Sequence, residues 1–174
     1  MRRLGAVGLL VLLLPACKRS SGEWRMLEAA DGGGYTVEMP EQADPRRGKL
    51  MMDGQEVATH ALMTMHAGMT YSTAWWDMPA SLDTASGALL DTAWSVVTTR
   101  MDAVRLPREG PWGADRDGAR SAWFRYRSGL DMGVGLRTLG RRVVLMTAGG
   151  RDSALTAAGT AHCEHFFGSF RRVR

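Results

Sequence analysis

Residues 55–77 read QEVATHALMTMH, then AG, then MTYSTAWWD. The runs Gln55–His66 and Met69–Asp77 are rich in β-branched and aromatic residues, and the two-residue spacer Ala67-Gly68 between them suits a tight hairpin. A hairpin makes the sheet antiparallel, and the rest of the chain can be read outward from it. Apolar residues fall on both faces: Val57, Ala61, Met63 and Met65 on one, Leu62 on the other, with Trp75 and Trp76 divided between them. Strands of that kind are expected to be covered on both sides.

Upstream, Tyr35-Thr36-Val37-Glu38-Met39 alternates and Pro40 stops it, which predicts a first strand; residues 40–48, with two prolines, predict a loop. Downstream the period changes. Leu82, Ala85, Leu89, Ala93 and Val96 follow helical spacing, with Ser81 as the expected N-cap. Residues 100–120 are turn-rich. Three strands are expected over 119–127, 132–139 and 142–148, separated by Ser128-Gly129 and by Gly140. Residues 152–167 return to helical spacing through Ala154, Ala158, Ala161, His165 and Phe166, with Gly168 as the C-terminal cap. Hairpins with segregated helices predict an α+β fold, an antiparallel β-sheet flanked by two helices, in a single domain over residues 24–174.

Ahead of that domain stands MRRLGAVGLLVLLLPAC. Arg2 and Arg3 are the positive region of an export signal, residues 4–14 its apolar stretch, and Leu14-Pro15-Ala16 a small-residue cleavage site. As a helix, residues 4–16 would rise only about 20 Å, against a hydrocarbon core of about 30 Å. The cysteine directly after the site resembles the lipobox of bacterial lipoproteins. That resemblance implies a signal peptide over 1–16, lipidation of Cys17 with acylation of the new amine, and a polar tether over 17–23. Two or more acyl chains hold a protein stably at a membrane where one does so only marginally. The expected location is therefore export with a lipid anchor in a bacterial membrane, facing the periplasm. Lys18 lacks the acidic character that retains some lipoproteins at the inner membrane, which favours the outer one.

Removing residues 1–16 leaves 158 of 174 and a formal charge near +2, from 20 basic and 18 acidic residues. That is enough chain for one cored domain and too little charge for a nucleic-acid partner. After residue 16, arginines stand in doublets only at Arg46-Arg47, Arg141-Arg142 and Arg171-Arg172. With Cys17 acylated, Cys163 has no partner in the chain, and burial is the commonest fate of such a thiol.

The mature region also resembles the PsbP-like domains of thylakoid accessory proteins and exported bacterial lipoproteins. The similar stretches are Gly33-Gly34-Tyr35-Thr36-Val37-Glu38-Met39-Pro40, Gly118-Ala119-Arg120 before an aromatic strand, and Phe166-Phe167-Gly168-Ser169-Phe170. The resemblance implies an α-β-α sandwich that supports or binds larger assemblies, without a catalytic signature, a cofactor or a functional residue to carry over.

Among residues that carry chemistry, His162-Cys163-Glu164-His165 stands out, because His162 and His165 at i, i+3 are neighbours on a helix and could share a metal. Cys163 points about 100° away from His162, and His60 or His66 could complete a set only singly. No G-x-S-x-G is present, and Ser153 suits a helix cap. Asp77, Asp83, Asp91, Asp115 and Asp117 fall in expected turns and helix ends. Gly133-Val134-Gly135 lies within a strand and lacks the following helix that phosphate binding requires. Six tryptophans and a methionine cluster (Met51, Met52, Met63, Met65, Met69, Met78) suit either a core or an interface. Trp112, between Pro111 and Gly113, is the expected binding residue. The sequence therefore reads as a non-catalytic binding or accessory module of the cell envelope with a protein partner and no metal. The alternative is a hydrolase or metal-binding periplasmic protein using the helix of His162 and His165.

Overall fold

The computed structural model describes residues 23–40, 43–82, 87–113, 118–151 and 154–173. Cys17, the expected signal and all of the expected tether but Glu23 lie outside the described residues. The 67–68 hairpin forms as the sequence demands: Ala67 and Gly68 both take left-handed backbone conformations, with φ of 50° and 78°. It joins β4 (Gln55–His66) to β5 (Met69–Asp77) in antiparallel register, with His66 opposite Met69 and His60 opposite Trp75.

The other strands are β1 (Trp24–Glu28), β2 (Tyr35–Pro40), β3 (Asp44–Met52), β6 (Ala103–Arg105), β7 (Ala119–Tyr126), β8 (Leu130–Leu139), β9 (Arg142–Arg151) and β10 (Arg171–Arg172). They form a seven-stranded sheet in the order β3-β4-β5-β9-β8-β7-β6 and a three-stranded sheet in the order β1-β2-β10. The helices are α1 (Ala88–Thr99) and α2 (Ala157–Gly168). Neither is long and apolar enough to cross a membrane.

This corrects the expected α+β fold, an antiparallel sheet flanked by two helices, and with it the α-β-α sandwich that the PsbP-like resemblance implied. Of the described residues, 55 % lie in strands and 19 % in helices, and the strands divide between two sheets. The physical reason lies in β2. Its residues Tyr35, Val37 and Met39 are buried on one side and pack on the large sheet rather than joining it. Residues 24–28, for which the sequence predicts no element, supply the neighbour β1, and Arg171–Arg172 the other. The second layer on that face is thus largely β.

The local readings fared unevenly. Strands β2, β4, β5, β7, β8 and β9 stand where the alternation placed them. The expected loop at 40–48 is mostly β3, which accommodates Pro45 because β3 is an edge strand with one unpaired side. Pro45, Arg46, Arg47 and Lys49 also blunt that edge against further pairing. Helix α1 starts six residues later than Leu82, at Ala88. The residue at the N-cap of α1 is Gly87 rather than Ser81, whose hydroxyl donates to Asp53 Oδ2 at 3.3 Å. At α2 the cap is Thr156, whose side chain accepts from the Gly159 amide, and the C-cap is Ser169 rather than Gly168.

The Phe166–Phe170 stretch clips the layers together. Phe166 and Phe167 are buried, Phe170 stacks on Tyr35 at 5.3 Å, and Ser169 Oγ accepts from the Glu38 amide at 2.9 Å. Trp75 packs in the core under β2 and α2, and Trp76 in the core under α1. One indole on each face is what the adjacent pair requires in an extended strand.

Candidate functional site

The two faces of the large sheet are covered unequally. On one face α1 packs on β7 and β8, burying Leu89, Leu90 and Ala93 against Trp76, Leu136 and Val143. Strands β4 and β5 extend away from it. There the alternation of β4 brings Met63 and Met65 to the surface, 39 % and 70 % exposed, while Leu62 and Thr64 turn inward. The registers Ala61–Ala74, Met63–Ser72 and Ser72–Thr147 assemble one strip of exposed and half-exposed side chains. Asp44 and Arg46 of β3, opposite Met63 and Ala61, edge it with an ion pair at 3.7 Å.

The strip carries no titratable group, so it offers contact rather than chemistry. Methionine is polarizable and conformationally adaptable, and an apolar centre with a charged rim is the usual anatomy of a protein interface. The expectation that both faces of this hairpin are covered fails for β4. Period-2 alternation records which residues share a face, not what lies over that face.

The residues singled out from the sequence are dispersed. Trp112 is half-buried. Its indole N–H donates to the Phe167 carbonyl at 2.8 Å, and its ring meets Phe167 edge-on at 5.6 Å. A Cβ on Gly135 would fall 2.7 Å from the same ring, so glycine in β8 is what lets the indole lie against the strand. The Arg137 guanidinium covers it at 4.5 Å. Trp112 is thus a lid on the core edge.

The two histidines of α2 both pack on Trp24, with ring centres 4.5 Å away for His165 and 5.8 Å for His162. His165 Nε2 contacts Glu38 Oε2 at 2.6 Å. His162 faces His66, ring centres 6.3 Å apart, and its Nδ1 is buried without a hydrogen-bond partner. His60 stacks on Trp75 at 4.2 Å and contacts Asp31 Oδ2 at 2.7 Å. Asp31 also takes a fork from Arg47, whose hydrogen bonds, followed by that of His60, hold its carboxyl below the usual range. Among the described residues no three His, Cys, Asp or Glu side chains gather where a metal ion could sit.

Cys163 is fully buried, and that burial pushes its thiol up to about 12. Asp77 pairs with Arg142 at 2.9 Å and Asp91 with Arg120 at 2.7 Å. Gly133 and Gly135 lie within β8 against aromatic rings. Ser153, Asp83, Asp115 and Asp117 lie outside the described residues. No protein-family model matches the chain, and no curated protein does.

Proposed function

We propose that this protein is a bacterial lipoprotein, held at the membrane through Cys17 and exported to face the periplasm, with the outer membrane favoured, and that it acts as a non-catalytic binding or accessory module of the cell envelope. The observation that carries the binding part is the open strip of β4 and β5, where Met63 and Met65 stand in solvent beside half-exposed Ala61, Ser72 and Ala74. The anchor rests on the LPAC motif at 14–17. A protein partner with an apolar contact surface suits the strip, since neither a charged polymer nor a polar solute gains from thioether side chains.

Two arms test the proposal in native cells. Cys17→Ser should abolish acyl labelling and leave uncleaved precursor, and normal processing of that variant would overturn the anchor. A photo-crosslinker at position 65 should capture a discrete envelope protein, and the same probe at exposed Arg127 should not. Equal capture from both positions would overturn the strip as the docking surface.

A further inference from the structure

Two of the three arginine doublets that follow residue 16 converge in space, on the side of the molecule away from the open strip. Arg141-Arg142 leads into β9 and Arg171-Arg172 forms β10. Arg141, Arg142 and Arg172 line one cleft of about 260 Å³ together with Gly33, Gly34 and Asp77. The cleft forms because β10 is pinned beside β2, with Arg172 opposite Tyr35 and the Val173 amide donating to the Gly34 carbonyl at 3.0 Å. Its floor depends on Gly33, where a Cβ would lie 2.7 Å from the Trp75 indole.

The charges in this cleft do not balance. Arg142 forks Asp77 through Nε and Nη2, at 2.9 and 3.0 Å, and lies over the Trp75 ring at 4.1 Å. Arg141 donates to the carbonyl oxygens of Met78 and Pro79, which fix its guanidinium but carry no net charge to neutralise it. Arg172 pairs with no carboxylate among the described residues and is exposed. Among the described residues one carboxylate thus stands against three guanidinium groups at the cleft, in a chain whose formal net charge after residue 16 is only about +2.

The geometry points to this cleft as a binding site for an oxyanion, a phosphate or carboxylate group taken by the Arg172 fork in the field of Arg141 and Arg142. Guanidinium forks match the geometry of both groups and bind them by charge-assisted hydrogen bonds. The volume lies below the roughly 300–1,000 Å³ of pockets that enclose a whole small molecule. The cleft therefore takes a terminal group and leaves the rest of the ligand outside. Strand β2 runs from Tyr35 at the cleft to Pro40, which pairs with Trp24, so at about 3.3 Å per residue the cleft and the start of the domain lie some 17 Å apart. A free phosphorylated or carboxylated solute and a lipid headgroup share this chemistry.

The test follows arginine Nε–H resonances of residues 17–174, expressed without residues 1–16 and with Cys17→Ser, during titration with inorganic phosphate and, separately, sodium acetate. Saturable shifts of Arg172 and Arg142, with Arg46 unmoved, are expected. Arg172→Gln, on an exposed side chain that should leave the melting temperature unchanged, should weaken binding about tenfold or more, as loss of a charge-assisted contact does. A second arm measures co-sedimentation with phosphatidylglycerol vesicles and with phosphatidylcholine vesicles. Binding to the former alone, lost in Arg172→Gln, assigns the oxyanion to a lipid headgroup; a response to the free anions without vesicle binding assigns it to a solute. Shifts spread equally over all exposed arginines, or binding indifferent to Arg172→Gln, would overturn the site. Absence of response in both arms would do the same.

Discussion

The two faces of the seven-stranded sheet are built from the same strands and end in different states. One face is roofed throughout its centre by β2, α2, Phe170 and the Trp112 lid, over a core that includes Tyr35, Val37, Met39, Tyr71, Met146, Phe166 and Phe167. The other is roofed by α1 over β7 and β8, with Val57 of β4 packed against the same cluster, and left open at Met63 and Met65. Stability should therefore concentrate on the first face and recognition on the open part of the second. The contrast also separates two kinds of methionine. Met39 and Met69 fill the core, while Met63 and Met65, from the same hairpin region, meet solvent.

The sharpest way to break this contrast is Phe167→Ala. Phe167 is 1 % exposed and touches both Phe166 and Trp112, and truncating a buried Phe costs about 3–5 kcal/mol. Urea denaturation should show a loss in that range. A loss below about 1 kcal/mol would mean that the covered face is not where stability resides.

Trp112→Ala should come next, at about 3 kcal/mol, since it removes a large ring packed on Gly135 and leaves the Phe167 carbonyl without its donor. Photo-crosslinking through position 65 should be unchanged in the folded variant. If capture is lost while the melting temperature holds, Trp112 is a docking residue and the lid assignment is wrong.

Alkaline pH gives a smaller and more gradual effect, confined to the covered face. Burial raises Cys163 from 9.0 to about 12, and raises Tyr35 from 10.0 to about 12 against the opposing effect of its hydrogen bond with Thr73. The unfolded chain releases these protons first, so it binds fewer protons than the folded one between those values. Stability from these groups is present in full below pH 9 and declines as pH rises towards 12. In Cys163→Ala the urea midpoint should fall less steeply with pH over this window than in the parent. A maleimide should label native Cys163 far more slowly than the denatured chain. Equal slopes in both proteins, or rapid native labelling, would place the thiol in solvent.

The smallest effect on stability belongs to the open strip. Met63→Glu with Met65→Glu should change the unfolding free energy by under about 0.5 kcal/mol, as surface substitutions do, while abolishing crosslinked capture. A large loss of stability would show that the strip is part of a core.

Much of the local structure was legible because its signals are local. Alternation and the Ala67-Gly68 turn are enough for β4 and β5, and the Ser128-Gly129 and Gly140 turns for the meander of β7, β8 and β9. Elements whose cause lies elsewhere were missed. Strand β1 has little pattern of its own and exists because β2 offers it an edge. Strand β3 runs through Pro45 because, among the described residues, no strand lies beyond it. Helix α1 begins at Ala88, with Ser81 drawn to Asp53 and Gln55 across the β3–β4 turn.

The candidate sites divide in the same way. By itself the sequence determined that Trp75 and Trp76 occupy opposite faces, that Met63 and Met65 share one, and that arginines stand in doublets, because these follow from side-chain period and residue identity. Only the tertiary structure decided that the Met63 face is open, that Trp112 is folded inward, and that Arg172 meets Arg141 and Arg142 around one carboxylate. Cover and convergence depend on which distant segment packs against a surface. That choice is made by the summed burial of all the layers, and no window of the chain contains it.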